Sequence, residues 1–318
     1  MPIRAKIWIL LKEFVGEPKP SDFKLEEEDV LGENIGELQP GDMLRVTLSR
    51  NDKYVNGTAV VANVGWRTHT LIKPGTLPEN ITGLVMLPSS FSPLPISLIL
   101  GTCGRPGNSA YFGFLELCQP KKGETVVVNA AAGTVGSLVG QIAKMKECRV
   151  IGFAGSDDKV EWLKELGFDH AYNYKTVDLA ASLKEAAPNG VDCFFDCVGG
   201  EMTAVIMQHM NTFGRMAICG SISGYNDDPA NKPKGEGTLW TPVVLFKQLR
   251  IEGFMVLRWM DRWNEGVQQM AEWVKEGRLK YRETVTTGFE KTPEAFIGMF
   301  KGENTGKAVV KVNLHGCD

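Results

Sequence analysis

Six short apolar runs, each followed by a stretch of helical spacing or a turn, fill the chain from Thr125 onward and leave few folds open. They are TVVVNA, RVIGFAG, HAYNY, CFFDCVG, RMAICGS and IEGFMV. Strands buried on both faces read as continuous apolar runs, because helices cover both sides of a parallel sheet. After the first run, Val135, Leu138, Val139, Ile142 and Ala143 fall on one helical face. Alternation of this kind predicts an α/β fold with a doubly wound parallel sheet. The earlier part of the chain has another texture. MLRVTLSR alternates, GTAVVANVGW is β-prone, and proline-rich pieces such as LPSSFSPLPISLIL break them up. After Gly288 come a helical stretch, TPEAFIGMFKG, and a last strand, KAVVKVN.

At 318 residues the chain has room for two domains and a sizeable core. Its net charge of −3 offers no general attraction to nucleic acid or to anionic membranes. No window approaches the roughly eighteen uncharged apolar residues of a membrane span. Charges follow the short apolar run in MPIRAKIWILLKEF without a small-residue cleavage site, so no secretory signal is expected. The seven cysteines, at 103, 118, 148, 193, 197, 219 and 317, form no C-x-x-C pair. Their odd count and apolar neighbours predict reduced thiols in a cytoplasmic protein. His69, His170, His209 and His315 stand apart from acids or cysteines at ligand spacing, and no metal site is expected.

NAAAGTVGSLVGQ, residues 129–141, directly follows the first apolar run. In a doubly wound sheet this turn leads into a helix whose N-terminus holds a pyrophosphate, and small residues let the backbone approach. Ala131, Gly133 and Gly136 take the three small positions, with alanine replacing the first glycine. Taken alone, the turn fits a ligand-free connection equally well. The second run ends in GFAGSDDK. An NAD site wants an acid at that tip. Gly155 and Ser156 stand there instead, with Lys159 one helical turn on, a set that suits the 2′-phosphate of NADPH. Asp157 or Asp158 reaches a ribose if the strand ends later.

ETVVVNAAAGTVGSLVGQIAK, VDCFFDCVGG, FGRMAICGSISGYN and GKAVVKV closely resemble the zinc-independent medium-chain dehydrogenase/reductases. The likeness runs from about Trp66 to Val312, and the opening KIWILLKEFVGEPKPSDFKL matches as well. It implies a GroES-like, β-rich catalytic domain made from residues 1–104 and the return segment 289–318. A Rossmann NADPH-binding domain over 105–288 lies between them in sequence. Gly133, Thr134, Val135 and Gly136 would then hold the pyrophosphate. Lys159 would meet the 2′-phosphate and Tyr174 the phosphoribosyl end. Three further segments resemble cofactor-lining ones. The first is Cys197, where relatives usually carry asparagine, with Cys219, Gly220, Ser221, Ile222, Ser223, Gly224 and Tyr225. The second is Phe254, Met255, Val256, Leu257, Arg258 and Trp259, and the third is Asn304. For 254–259 a core strand with an exposed rim is the alternative, and for Tyr225 a surface loop.

The activity so implied is NADPH-dependent reduction of the carbon–carbon double bond of α,β-unsaturated ketones and aldehydes, oxo-eicosanoids and lipid-derived alkenals among them. Tyr225 is the candidate catalytic hydroxyl. A quinone oxidoreductase and a non-catalytic NADPH-binding protein remain open, and a homodimer paired through IEGFMV is expected. Two departures bear on activity. Phe246 stands where relatives usually carry tyrosine, and the stretch between Leu25 and Asp42 is shorter than theirs.

Overall fold

The structure, a computed structural model, describes residues 4–12, 14, 16–30, 42–45, 49, 52–72, 84–87, 91–227 and 240–312. The chain divides into two compact units. One comprises Met1–Leu100, Val285–Met299 and Ala308–Asp318, the other Gly101–Thr284 and Phe300–Lys307.

In the first unit β1 (Arg4–Leu10) pairs antiparallel with β2 (Phe23–Asp29), Arg4 opposite Asp29 and Leu10 opposite Phe23. A second antiparallel sheet joins β3 (Asp42–Arg45), β4 (Ala59–Ala62) and β5 (Leu84–Met86). Tyr54, Val60, Ala62, Val64 and Leu84 form a small core. Phe23 stacks on Trp66 at 5.5 Å, and Phe296 meets both rings edge-on. Most of the shortened stretch between Leu25 and Asp42 lies outside the described residues.

The second unit carries the alternating pattern. Helix α1 (Arg105–Phe112) precedes β6 (Thr125–Val128), α2 (Thr134–Met145), β7 (Arg149–Ala154), α3 (Asp157–Glu165) and β8 (His170–Asn173). Then come α4 (Leu179–Ala186), β9 (Val191–Asp196), α5 (Gly200–Gln208), β10 (Met210–Ile218), α6 (Trp240–Lys247), β11 (Arg250–Gly253) and α7 (Trp263–Lys275). The six strands form one parallel sheet in the order β11-β10-β9-β6-β7-β8. This is a Rossmann-like arrangement, and its strand order reverses between β6 and β9. A crevice opens at the carboxyl ends of the strands at such a reversal. Val126, Val127, Val128, Ile151, Phe153, Phe194 and Phe195 are fully buried, as strands covered on both faces require. Helix α2 and β7 approach closely around one ring. A Cβ on Gly140 would lie 1.9 Å from Phe168 Cζ, and one on Gly152 2.7 Å from its Cε1, so neither position has room for a side chain.

The sixth run is cut short. Strand β11 ends at Gly253, because Phe254 turns its ring into the gap beside Gly113, where a Cβ would lie 2.2 Å from Phe254 Cζ. The tail supplies β12 (Glu283–Thr287), α8 (Thr292–Phe300) and β13 (Lys307–Lys311), and β12 pairs with β13. No helix among the described residues is long and apolar enough to cross a membrane.

Candidate cofactor and active site

After β6 the chain turns through Ala130, whose φ of 43° is left-handed, and Gly133 caps α2 without a side-chain partner. The Ala131 amide donates to Phe153 O and the Gly133 amide to Ala130 O, both at 2.9 Å. Ser137 N makes the first intrahelical bond, to Gly133 O at 3.0 Å. The amides of Thr134, Val135 and Gly136 therefore have no partner within the helix and aim out of its positive end. That is the geometry of an anion site. Gly136 is the tightest position. A Cβ there would lie 2.6 Å from Ala130 O and 2.8 Å from Ala131 Cα, whereas at Gly133 the nearest atom stands 3.2 Å away. Ala131, read as the first small position, is fully buried. The late segment closes over the same turn. Gly306 N donates to Ala132 O at 2.8 Å, and Asn304 Nδ2 donates to Gly306 O at 2.8 Å.

The tip of β7 falls at Gly155 and Ser156, since α3 already begins at Asp157. The Asp157 carboxylate accepts from Asn173 Nδ2 at 2.8 Å and so is engaged across the turn. Lys159 is half-buried and donates to Gly302 O at 2.6 Å. Burial and the nearby Lys175 ammonium lower its pKa. Tyr174 and Lys175 flank Gly155, their side chains 3.4 and 3.5 Å from where its Cβ would stand. Lys175 is the cation that motif reading missed. It was visible only as the residue after Tyr174 in NYK.

A buried polar knot ties β6 to β9 at the reversal. Asn129 Nδ2 donates to Asp196 Oδ1 at 2.6 Å, and Asn129 Oδ1 accepts from Cys197 N at 2.7 Å. Asp196 also accepts from the amides of Val198 and Gly199 and, at 2.7 Å, from Thr203 Oγ1. The 219–225 segment is laced to this lip. Cys219 N and Gly220 N donate to Asp196 O, Ile222 N donates to Cys197 O, and Ser223 donates to Val198 O through both its amide and its hydroxyl.

A family model described as zinc-binding dehydrogenase matches residues 134–275. Prostaglandin reductase 1 of Bos taurus is 47% identical over 337 residues, covering 97% of this chain and 99% of that protein. The chain belongs to the zinc-independent medium-chain dehydrogenase/reductases. The bovine alignment is longer than the 318 residues of this reductase, so the relative carries residues that are missing here. The NADPH-dependent curcumin reductase of Escherichia coli is 34% identical, with 97% of each chain covered. Among solved structures, CurA of Vibrio vulnificus in complex with NADPH superposes with a TM-score of 0.86 at 32% identity, covering 97% of this chain and 99% of the other. Among the described residues of this reductase, no group of three or more His, Cys, Asp or Glu side chains converges to hold a metal ion.

The remaining residues singled out from sequence are spread more widely. Tyr225 is 60% exposed, and its phenolic oxygen accepts from Ser221 N at 3.2 Å, which leaves the hydroxyl proton for another partner. Val256 and Trp259 pack inward. Trp259 stacks on Phe112 at 5.4 Å, and Phe254 meets it edge-on at 5.5 Å. Leu257 is half-buried, Met255 is exposed, and Arg258 pairs with Glu252 while lying 5.2 Å over the Trp259 ring. Phe246, on α6, is 79% exposed.

Proposed function

We propose that this reductase uses NADPH to reduce the carbon–carbon double bond of α,β-unsaturated ketones and aldehydes. One observation carries the reading. The open N-terminus of α2, with Gly136 held against its turn, lies on the same sheet as the acid-free tip of β7, where Lys159 and Lys175 stand. The first suits a diphosphate and the second an extra phosphate. These residues fit NADPH, which when bound supplies the hydride. The three α2 amides and the late segment at Asn304 fix the diphosphate end. Lys159, Lys175 and Tyr174 hold the 2′-phosphate end. The 197–200 and 219–225 lip, including Gly224, borders the reacting end and excludes water there. Negative charge develops on the carbonyl oxygen as the β-carbon is reduced, and the free Tyr225 hydroxyl proton is the chain's candidate donor to it. The related 2-alkenal reductase of Nicotiana tabacum, 40% identical over 85% of this chain and 75% of that protein, supports the substrate class.

The test is NADPH consumption with an enone or enal and recovery of the saturated carbonyl, with quinones run in parallel. Bound NADPH without turnover would sink the reading. Lys159→Ala is expected to reduce the preference for NADPH over NADH by ~10- to 100-fold, since a hydrogen bond to a charged group is worth ~1.5–3 kcal/mol. Unchanged kcat/KM ratios for the two coenzymes would remove Lys159 from the site.

Within this proposal the first unit is the GroES-like catalytic part, and lipid-derived enones are the substrates. The six cysteines among the described residues are all free thiols, which supports a reducing cytoplasmic setting. A homodimer is supported by β11, the edge of the sheet, and by exposed Leu245, Phe246 and Met255 in the same unit. Sedimentation at the mass of two chains is the expected outcome, and a monomer overturns it.

A further inference from the structure

Cys197 and Cys219 stand side by side at the carboxyl edge of the sheet. Asp196 of β9 and Ile218 of β10 are register partners, and Cys219 N donates to Asp196 O at 2.8 Å. Each cysteine is thus the first residue beyond its strand, and the two are about one strand spacing apart, ~4.8 Å. That lies inside the range of about 4.4–6.8 Å between Cα atoms over which two sulfurs can be bridged. The Cys219 thiol beside it, together with burial, raises the Cys197 pKa well above the usual thiol value. Both residues are partly exposed at the sheet edge, unlike the other cysteines of this unit. Another cysteine pair, Cys118 and Cys193, is fully buried, and the Cys193 thiol donates to the Cys118 carbonyl at 3.5 Å.

We propose that Cys197 and Cys219 form a dithiol site that binds a trivalent arsenical across both sulfurs. The exchange balances without an oxidant. An arsenical R–As(OH)2 loses its two hydroxides, each hydroxide takes one thiol proton and leaves as water, and two As–S bonds form while arsenic stays trivalent. The exchange consumes neutral thiols, the form that burial and the adjacent thiol favour. An alkylating agent needs the scarce thiolate and reacts slowly at this pair. Capture also excludes the dinucleotide, because the loops that begin at these residues form the lip assigned to NADPH. That second clause rests on the proposed function.

The test incubates the full chain with phenylarsine oxide and reads the intact mass. One phenylarsenic per chain is expected, removed by 2,3-dimercaptopropanol and resistant to a monothiol at equal concentration. Cys197→Ser and Cys219→Ser each lose the adduct, while Cys118→Ser and Cys317→Ser keep it. Cys197→Ala and Cys219→Ala replace either serine variant whose melting curve shows it unfolded. No adduct on the wild type, an adduct that survives in both single variants, or one lost in Cys118→Ser overturns the site. NADP+ at a hundred times its Kd leaves ~1% of the site free and slows capture ~100-fold. If calorimetry shows NADP+ bound while capture keeps its rate, the exclusion is overturned and the dithiol site stands. If calorimetry shows no NADP+ binding at all, the cofactor reading fails instead, and the mass result judges the thiol pair by itself.

Discussion

Gly136→Val abolishes useful NADPH affinity, by ~10²-fold or more in a calorimetric titration, in a protein whose circular dichroism stays close to the parent's. The first atom of any side chain would lie 2.6 Å from Ala130 O and 2.8 Å from Ala131 Cα, both backbone atoms of the turn itself. Neither can swing aside, so the turn and the helix must separate. Separation moves the amides of Thr134, Val135 and residue 136 out of line with the diphosphate. A misplacement of about 1 Å costs on the order of 10²-fold when a fixed group must meet a bound one. Strain in the core adds ~1–3 kcal/mol of instability. Gly133→Ala is the internal comparison. Its nearest neighbour would stand 3.2 Å away, and a smaller loss is expected. Equal affinities in wild type and Gly136→Val would show that the α2 terminus does not hold the cofactor.

Asp196→Ala lowers the melting temperature by ~8–15 °C in thermal unfolding followed by circular dichroism. The carboxylate accepts from Asn129 Nδ2, from Thr203 Oγ1 and from the amides of Val198 and Gly199. Asn129, Thr203 and Gly199 are buried, and water does not replace the lost acceptor. A buried donor left without a partner costs ~1–3 kcal/mol. Losing the hub of such a network then costs about 4 kcal/mol, at ~2–4 °C per kcal/mol for a unit of this size. The same substitution frees the 197–199 turn, so NADPH binding weakens together with stability. A shift of less than ~3 °C would mean that the knot contributes little.

The central strands were legible because burial on both faces leaves its mark along the run, as at Val126, Val127, Val128, Phe194 and Phe195. At the sheet edges, β8 and β11 are only partly buried. The phosphate turn was legible for a related reason, since close backbone approach restricts residue size locally. Strand ends were harder to place. Whether Asp157 sat on the ribose side depended on where β7 stopped, and a cross-turn bond from Asn173 places it in α3. Val256 and Trp259 show a deeper ambiguity. Apolar residues after an edge strand look alike whether they line a ligand or fill a core, and the rings that claim Trp259 include Phe112, far back in the chain. The Asn129–Asp196 knot was hidden because its members are 67 positions apart, each a lone polar residue at the end of an apolar run. Lys175 was hidden by reach, because only the folded turn at Gly155 brings its stem beside Tyr174.

The bond from Gly306 to Ala132 makes the nucleotide half of the molecule discontinuous in sequence. Ribosomal synthesis finishes the six-stranded sheet long before it makes residues 300–307, the last piece of that half. Until the ribosome reaches Gly306, Ala132 O lacks that amide and Lys159 lacks the Gly302 carbonyl. A nascent chain of this reductase therefore completes its phosphate turn only after residues 302–306 have been made, and a fragment ending at Thr284 never does.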